Sequence, residues 1–201
     1  MSELSKSQTI KSLTITNQFA TDILLLNTPN EVWQYLAQNI VEKLGFDDAV
    51  IYTLDTGGET LSRMSGFDKK TSVGEAKFSN TQIRDTSSNS MIIPFNQGVI
   101  GKVAATKKAI LVKDTREFES YIVDDETTLS ELAVPILFKE QLLGVIDSEH
   151  TQVDFYTEYH LRTLTALASI TAIKISQIIK VDGLEEIIDN LEYSNKIQDA
   201  L

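Results

Sequence analysis

Apolar residues near the start of the chain recur at alternating spacings of three and four, which places them on one face of an α-helix. This seam consists of Ile10, Leu13, Asn17, Ala20 and Leu24. The pattern predicts a helix over residues 8–26, with an Asn at an a-type heptad position that favours a defined dimer register. A second apolar line, Phe19, Ile23 and Leu26, is offset from the seam and is free to face a globular core.

A second helix is predicted directly afterwards, because Thr28 and Glu31 have the spacing of a capping box and Gly45 is a typical C-terminal stop. The segments 48–54 and 60–65 then read as two strands of a hairpin joined at a Gly-Gly turn. The polar residues 66–89 that follow are interpreted either as a flexible loop or as a binding segment.

The second half of the chain alternates short strands and helices. We predict an extended segment at 91–95, a helix from 98 to 106, a strand at 109–112 and a hairpin of strands 131–138 and 141–149. A long helix over 155–180 comes next, with a break at Asp182-Gly183 and a further helix after it.

This order predicts an α+β fold, a mostly antiparallel sheet flanked by helices, with a coiled-coil-type helix at each end of the chain. We divide it into a dimerisation helix (1–26), a globular domain (27–180) and a linker helix (181–201) toward an output domain. The expected partner is a second copy in a parallel homodimer, although the first helix can instead pack on its own domain. The expected dimerisation residues are Ile10, Leu13, Asn17, Leu24, Leu184, Ile188 and Leu191.

Charge and composition narrow the possible partners and compartment. The net charge is −11, which disfavours nucleic acid and anionic membranes as partners. The chain starts with a polar segment, and a cytoplasmic location is expected. His150 and His160 are the only histidines, and we interpret them as surface residues, with no metal site and no cofactor.

Four segments carry a family resemblance: 98–104, 110–114, 130–136 and 143–149. Together they make residues 20–180 resemble GAF domains, regulatory modules related to PAS domains. The resemblance implies a small-molecule pocket between the sheet and the segments 66–125. The candidate lining residues are Phe95, Ile100, Asp114, Tyr121, Ser130, Glu131 and Asp147. The alternative is that the carboxylates are solvated strand residues and Tyr121 is a packed loop aromatic.

Some GAF proteins are enzymes, and the segments 134–136 and 144–149 resemble the free methionine-sulfoxide reductases. In that family, positions matching Asp147 and Glu149 help to hold the amine of the substrate. The family uses a cysteine nucleophile, whereas this chain has no cysteine, so the sequence is interpreted as excluding that activity and bilin attachment through cysteine. A cyclic-nucleotide signature is matched only partially, near Lys113-Asp114.

The C-terminal tail resembles the helix that enters bacterial PPM serine phosphatase domains, with matches at Tyr193, Ile197, Gln198, Ala200 and Leu201. The combined expectation is a sensor domain that is not itself an enzyme. It would bind an unknown small molecule and relay the signal through its helices to a PPM phosphatase or a histidine kinase. The alternatives are a GAF-fold enzyme acting on a small metabolite and a ligand-free dimerisation scaffold.

Overall fold

The described part of the chain forms one antiparallel sheet of six strands. The computed structural model describes residues 5–55, 57–68, 92–119, 121–123 and 126–198. Most of the segment 66–89 therefore lies outside the described residues. The strands are β1 (Asp48–Leu54), β2 (Thr60–Asp68), β3 (Ile92–Pro94), β4 (Ile110–Val112), β5 (Ser130–Phe138) and β6 (Gln141–His150). Their order across the sheet is β3-β2-β1-β6-β5-β4.

Both hairpins predicted from the sequence are present, with β1 paired to β2 and β5 paired to β6. The contact between β1 and β6 joins the two hairpins into one sheet. At that junction Gly144 lies opposite Thr53 and against the carbonyl oxygen of Tyr52, where a side-chain Cβ would clash. The glycine therefore permits the close approach that connects the two halves of the sheet.

Within the described ranges, four α-helices accompany the sheet: α1 (Lys6–Asp22), α2 (Pro29–Asn39), α3 (Gly98–Thr106) and α4 (Glu158–Gln198). The capping box of Thr28 and Glu31 is confirmed at the start of α2. A π-helical turn, Ile40–Leu44, continues α2 to Gly45, whose φ of +78° is the left-handed conformation typical of a helix C-terminus. The local sequence signals thus set both limits of this helix.

The first face of the sheet, which we call the helix face, packs against α1, α2 and α4. The offset line of α1 supplies Phe19 and Ile23 to this core, as predicted, and Leu26 packs against it. The largest side chains buried without exposure include Leu36 and Leu164 from the helices and Ile146 from β6. The helices at the two ends of the chain therefore share one sheet face.

The opposite face, which we call the cavity face, has a smaller apolar cluster. Tyr52, Leu61 and Val145 from the strands pack there against Val99 and Val103 of α3. This second cluster fixes α3 over one part of the sheet.

The predicted break at Asp182-Gly183 is wrong, because α4 continues through it to Gln198. A glycine inside an α-helix costs only about 1 kcal/mol, which a long packed helix tolerates. Residues 158–184 are long and apolar enough to cross a membrane, but 44% of the most apolar window is buried inside the domain. This segment is the core helix of the fold.

Candidate functional site

A cavity lies on the cavity face, between the start of α3, the segment 121–122, the start of β5 and the end of β6. Together with the solvent space at its open mouth, it has an empty volume of about 390 Å³. The lining residues are Tyr52, Ile93, Gln97, Gly98, Val99, Ile100, Tyr121, Ile122, Glu131 and Glu149. Most of these are apolar, and the two glutamates form the acidic end of the cavity.

Period-2 alternation brings the acidic side chains together. Glu131 on β5 is the register partner of Glu149 on β6, so their side chains share the cavity face. Asp147 is two residues earlier on β6, on the same face, between Ala133 and Val50. Glu131 and Asp147 are almost completely buried, at 3% and 4% exposure.

Asp147 is the most unusual group of this cluster. Its Oδ1 atom is buried and has no hydrogen-bond partner among the described residues. Burial raises the pKa of Asp147 well above its usual value, and the neighbouring carboxylates Glu131 and Glu149 raise it further. Asp147 is therefore held in the neutral, protonated form far above the pH at which an exposed aspartate ionises.

Two more titratable groups border this cluster. Asp48 accepts a hydrogen bond from the backbone N–H of Glu149 at 2.9 Å, yet burial raises its pKa to about 6. The Tyr121 hydroxyl is buried without a hydrogen-bond partner among the described residues, and burial together with the charges of Glu131 and Glu149 raises its pKa. The acidic end is thus poorly solvated and carries excess negative potential.

The other end of the cavity is the N-terminus of α3. Gln97, Gly98, Val99 and Ile100 line it, and the Gln97 side chain makes no capping hydrogen bond. The first backbone N–H groups of a helix have no partners within the helix and carry a partial positive charge. Gly98 has a φ of +60°, and Ile122 packs so closely that a Cβ there would lie 3.3 Å from its Cδ1 atom.

The loop after β4 is held against α3 by one lysine. Lys102 donates a hydrogen bond to the carbonyl oxygen of Glu119 at 3.2 Å and lies over the Phe118 ring. These contacts position the segment that carries Tyr121 at the cavity wall. A second, more open depression on the far side of Tyr121 is bordered by Arg116 and Thr128.

The structure brings together three of the seven predicted lining residues, Ile100, Tyr121 and Glu131, with Asp147 directly beside them. The other three lie elsewhere. Asp114 caps a short helix, Thr115–Glu117, and pairs with Arg116. Ser130 faces the opposite side of β5 and donates to the carbonyl oxygen of Gln152 at 2.7 Å. Phe95 packs against the apolar cluster of the cavity face.

Seven lining residues were not among the candidates for the pocket: Tyr52, Ile93, Gln97, Gly98, Val99, Ile122 and Glu149. Of these, Glu149 was named only through the resemblance to the reductases. The alternation of β6 was a usable signal for Glu149, because it lies two residues after Asp147 on the same face. The positions of Tyr52 and Gln97 depend on strand pairing and on where α3 sits, which local patterns do not specify.

The prediction of two surface histidines is also corrected. His150 is buried, stacks on Phe155 with ring centroids 3.5 Å apart and has Nε2 3.3 Å from an Asp47 oxygen. His160 is half-buried among Phe46, Phe155 and Tyr156, and this burial lowers its pKa to about 4. Both rings are parts of the core on the helix face. Across the described ranges, no three His, Asp or Glu side chains are grouped to hold a metal ion.

Comparison with known proteins identifies the class. A GAF domain model matches residues 27–176, and the chain belongs to this family. The free methionine-R-sulfoxide reductase of Escherichia coli is 32% identical over 77 residues, which are 37% of this chain and 47% of that protein. The chain thus spans about half the length of the curated relatives it matches.

Solved structures support the same fold. The free methionine-R-sulfoxide reductase from Neisseria meningitidis, in complex with its substrate, has a TM-score of 0.71 at 18% identity and covers 90% of this chain and 97% of its own. The GAF domain of a phosphoenolpyruvate-protein phosphotransferase from Coxiella burnetii has a TM-score of 0.70 at 17% identity, covering 87% and 98%. Likeness at this identity shows the fold alone.

These relatives overturn two expectations from the sequence. The interpretation as a non-catalytic sensor, and the prediction that the chain is not an enzyme, are contradicted because the relatives with detectable sequence similarity include enzymes that reduce a free amino-acid sulfoxide. The finding favours the alternative considered above, a GAF-fold enzyme acting on a small metabolite. The likeness of the tail to a phosphatase linker finds no support in these comparisons.

Proposed function

We propose that this protein is a GAF-fold enzyme that acts on a small metabolite with a free ammonium group, and that its substrate class is a free amino acid of the methionine-sulfoxide type. The observation that carries the proposal is the opposite polarity of the two ends of one cavity. Glu131 and Glu149 form the acidic end, with the protonated Asp147 directly beside them, and the N-terminus of α3 forms the positive end.

A zwitterion matches both ends at once. Its ammonium group donates hydrogen bonds to Glu131, Glu149 and the partnerless Asp147 oxygen, which offsets the charge repulsion among these carboxyls. Its carboxylate accepts hydrogen bonds from the first backbone N–H groups of α3, which attract anions. A ligand with only one of the two charges leaves one end of the cavity unsatisfied.

The walls between the two ends fit an unbranched, weakly polar side chain. Tyr52, Ile93, Val99 and Ile122 provide apolar surface.

The reduction of a sulfoxide requires two electrons and two protons, and the oxygen leaves as water. The 201 residues contain no cysteine, so two thiol groups from another molecule supply the electrons and end as a disulfide. In this proposal the chain binds and orients the amino acid, and a thiol is the co-substrate. We place the reaction in the cytoplasm, where thiols are kept reduced.

The test is a turnover assay with the two epimers of free methionine sulfoxide. The protein is incubated with either epimer and dithiothreitol, and methionine is measured by chromatography against a reaction without protein. We expect methionine formation to depend on the protein and to favour the R epimer. Glu131→Gln is expected to lower the rate at least tenfold, whereas Glu140→Gln, in the exposed β5–β6 turn, retains it. Absence of both binding and turnover contradicts the proposal.

A further inference from the structure

The arrangement of carboxyl groups in the cavity is unfavourable when the cavity is empty. Two glutamates face each other across neighbouring strands, and an aspartate lies one alternation step away on the same face. Like charges directly opposite each other destabilise a sheet. The two almost completely buried members, Glu131 and Asp147, have lost most of the water that screens such repulsion.

The groups that face Asp147 come from every element around it. They are Glu131 on β5, Glu149 on β6, Asp48 on β1 and the Tyr121 hydroxyl in the loop after β4. Four of these five groups, Asp147 included, are carboxyls, and the fifth is a phenol. Among the described residues that line the cavity there is no Lys, Arg or His.

Asp147 supplies the second, independent observation. It is more than nine-tenths buried, and its Oδ1 atom lacks a hydrogen-bond partner in the part of the chain described here. A buried acceptor without a donor keeps its full desolvation cost, and a buried carboxylate costs still more. The group is therefore arranged to gain a donor when a ligand enters.

We propose that an ammonium group entering the cavity replaces a proton held by the Asp147–Glu131 pair, so that each binding event releases about one proton to solvent. This inference rests on the proposed function, because it assumes that the ligand carries an ammonium group. In the empty protein the pair shares one proton, since two adjacent buried carboxyls cannot both ionise. In the complex the ligand supplies the positive charge and the pair ionises fully.

Proton release makes the affinity depend on pH. By linkage, the release of one proton strengthens binding up to tenfold for each unit of pH increase, over the range in which the empty pair holds its proton and the ligand amine stays charged. The burial that raises the pKa of Asp147 extends this range upward from that of an exposed aspartate. Binding of a neutral ligand has no such dependence.

The experiment is isothermal titration calorimetry with L-methionine-R-sulfoxide and L-methionine as probes. Each titration is run at one pH in buffers with different ionisation enthalpies, such as phosphate and Tris. The slope of the observed enthalpy against the buffer ionisation enthalpy gives the number of protons transferred. We expect a release of about one proton from the natural protein, and an affinity that rises by up to about a hundredfold from pH 6 to pH 8.

The variants test whether the released proton comes from the Asp147–Glu131 pair. Asp147→Asn keeps the shape of the side chain but holds no titratable proton, so it is expected to bind more weakly and to release less than half a proton. Glu131→Gln provides a second test if that variant does not fold by circular dichroism. Glu140→Gln is the matched control and is expected to behave like the natural protein.

The outcomes distinguish this inference from the proposed function. Binding of either probe without proton release overturns the inference and leaves the proposed function in place. Undiminished proton release in both Asp147→Asn and Glu131→Gln also overturns it, because the proton then comes from another group. If neither probe binds at any pH from 5 to 9, the proposed function fails and this inference fails with it.

Discussion

Two adjacent residues of β6, on opposite faces of the sheet, place their polar side chains in opposite surroundings. On the helix face, Ser148 donates to the carbonyl oxygen of Asp48 at 2.7 Å and lies 2.9 Å from the Tyr156 hydroxyl. On the cavity face, the Asp147 Oδ1 atom and the Tyr121 hydroxyl have no partner among the described residues. The helix layer also buries two hydroxyls without such a partner, those of Tyr159 and Thr171, so the cavity face is distinguished by its cluster of buried carboxyls and not by missing partners alone.

The largest effect on stability is expected on the helix face. Leu164 is fully buried, and Leu164→Ala leaves a cavity among well-packed neighbours. We expect a loss of about 2–5 kcal/mol in the free energy of unfolding, measured by urea denaturation. Val153→Ala, at a position that is 44% exposed, should change it by less than about 1 kcal/mol. Equal effects of the two substitutions would mean that this face is not the main core.

The next largest effect depends on pH and comes from Asp48, at the boundary of the two faces. Its raised pKa, about 6, means that its favourable contribution is complete below its ordinary pKa of 3.8 and is lost as the pH rises through 6. Asp48→Asn still accepts the hydrogen bonds of Glu149 and Ser148 but does not ionise.

We therefore expect Asp48→Asn to match the natural protein near pH 4 and to be more stable by about 2–3 kcal/mol near pH 8. Thermal unfolding across this pH range measures the difference. Asp182→Asn changes an exposed carboxyl on α4 and serves as the control. A stability difference between Asp48→Asn and the natural protein that stays constant with pH contradicts the raised pKa of Asp48.

A matched pair of tyrosines tests the contrast between the faces most directly. Tyr156→Phe removes the partner of Ser148 and is expected to cost about 1 kcal/mol of unfolding free energy. Tyr121→Phe removes a hydroxyl without a hydrogen-bond partner among the described residues, so stability should stay within about 0.5 kcal/mol or increase. The two measurements are made by chemical denaturation at the same pH. A larger loss of unfolding free energy for Tyr121→Phe than for Tyr156→Phe would contradict this contrast between the two faces.

The same contrast explains what the sequence could predict. The helix face follows local signals: the offset line of Phe19 and Ile23, and the capping box of Thr28, specify which sides of the helices are buried. The alternation along β5 also puts Ser130 and Glu131 on opposite faces of the sheet. The prediction that both residues line one pocket did not take this alternation into account. The cavity itself depends on the junction of β1 with β6 and on the position of α3. These are tertiary features that no local pattern contains.

Two sequence predictions, the helix break at Gly183 and the surface positions of the two histidines, relied on the intrinsic preference of a residue type and were wrong. Gly183 is a helix breaker by intrinsic propensity, yet α4 passes through it, because one glycine costs a helix only about 1 kcal/mol. His150 and His160 are polar by type, yet both rings pack among aromatic side chains. The missing cysteine was read correctly as a fact of composition, but it excludes only a thiol within the chain and not catalysis with a thiol from outside.

The last expectation concerns the outer side of the helix layer, where the effect on the fold is smallest. Helices α1 and α4 run side by side in the same direction, as shown by hydrogen bonds from Thr163 to Ser12 and from Lys174 to Leu24. Their outward sides expose much of the predicted seam. The exposed apolar members are Ile10, Leu13, Leu24, Leu184 and Ile188, and the side chain of Leu191 lies outside the described set.

We expect a second copy of the chain to cover this seam, because the a/d spacing of α1 suits pairing between helices. The natural protein should sediment as a dimer at tens of micromolar, and Leu13→Asp should shift it to a monomer. Thr14→Asp adds the same charge to an exposed position off the seam and should leave the dimer intact. Neither substitution touches the core, so the unfolding free energy of each monomer should change by less than about 0.5 kcal/mol.

Residues 181–201 carry six acidic residues and one lysine, a net charge of −5, so added salt should tighten the dimer severalfold by screening the repulsion between two such tails. A natural protein that sediments as a monomer in moderate salt would show that these apolar residues remain solvent-exposed.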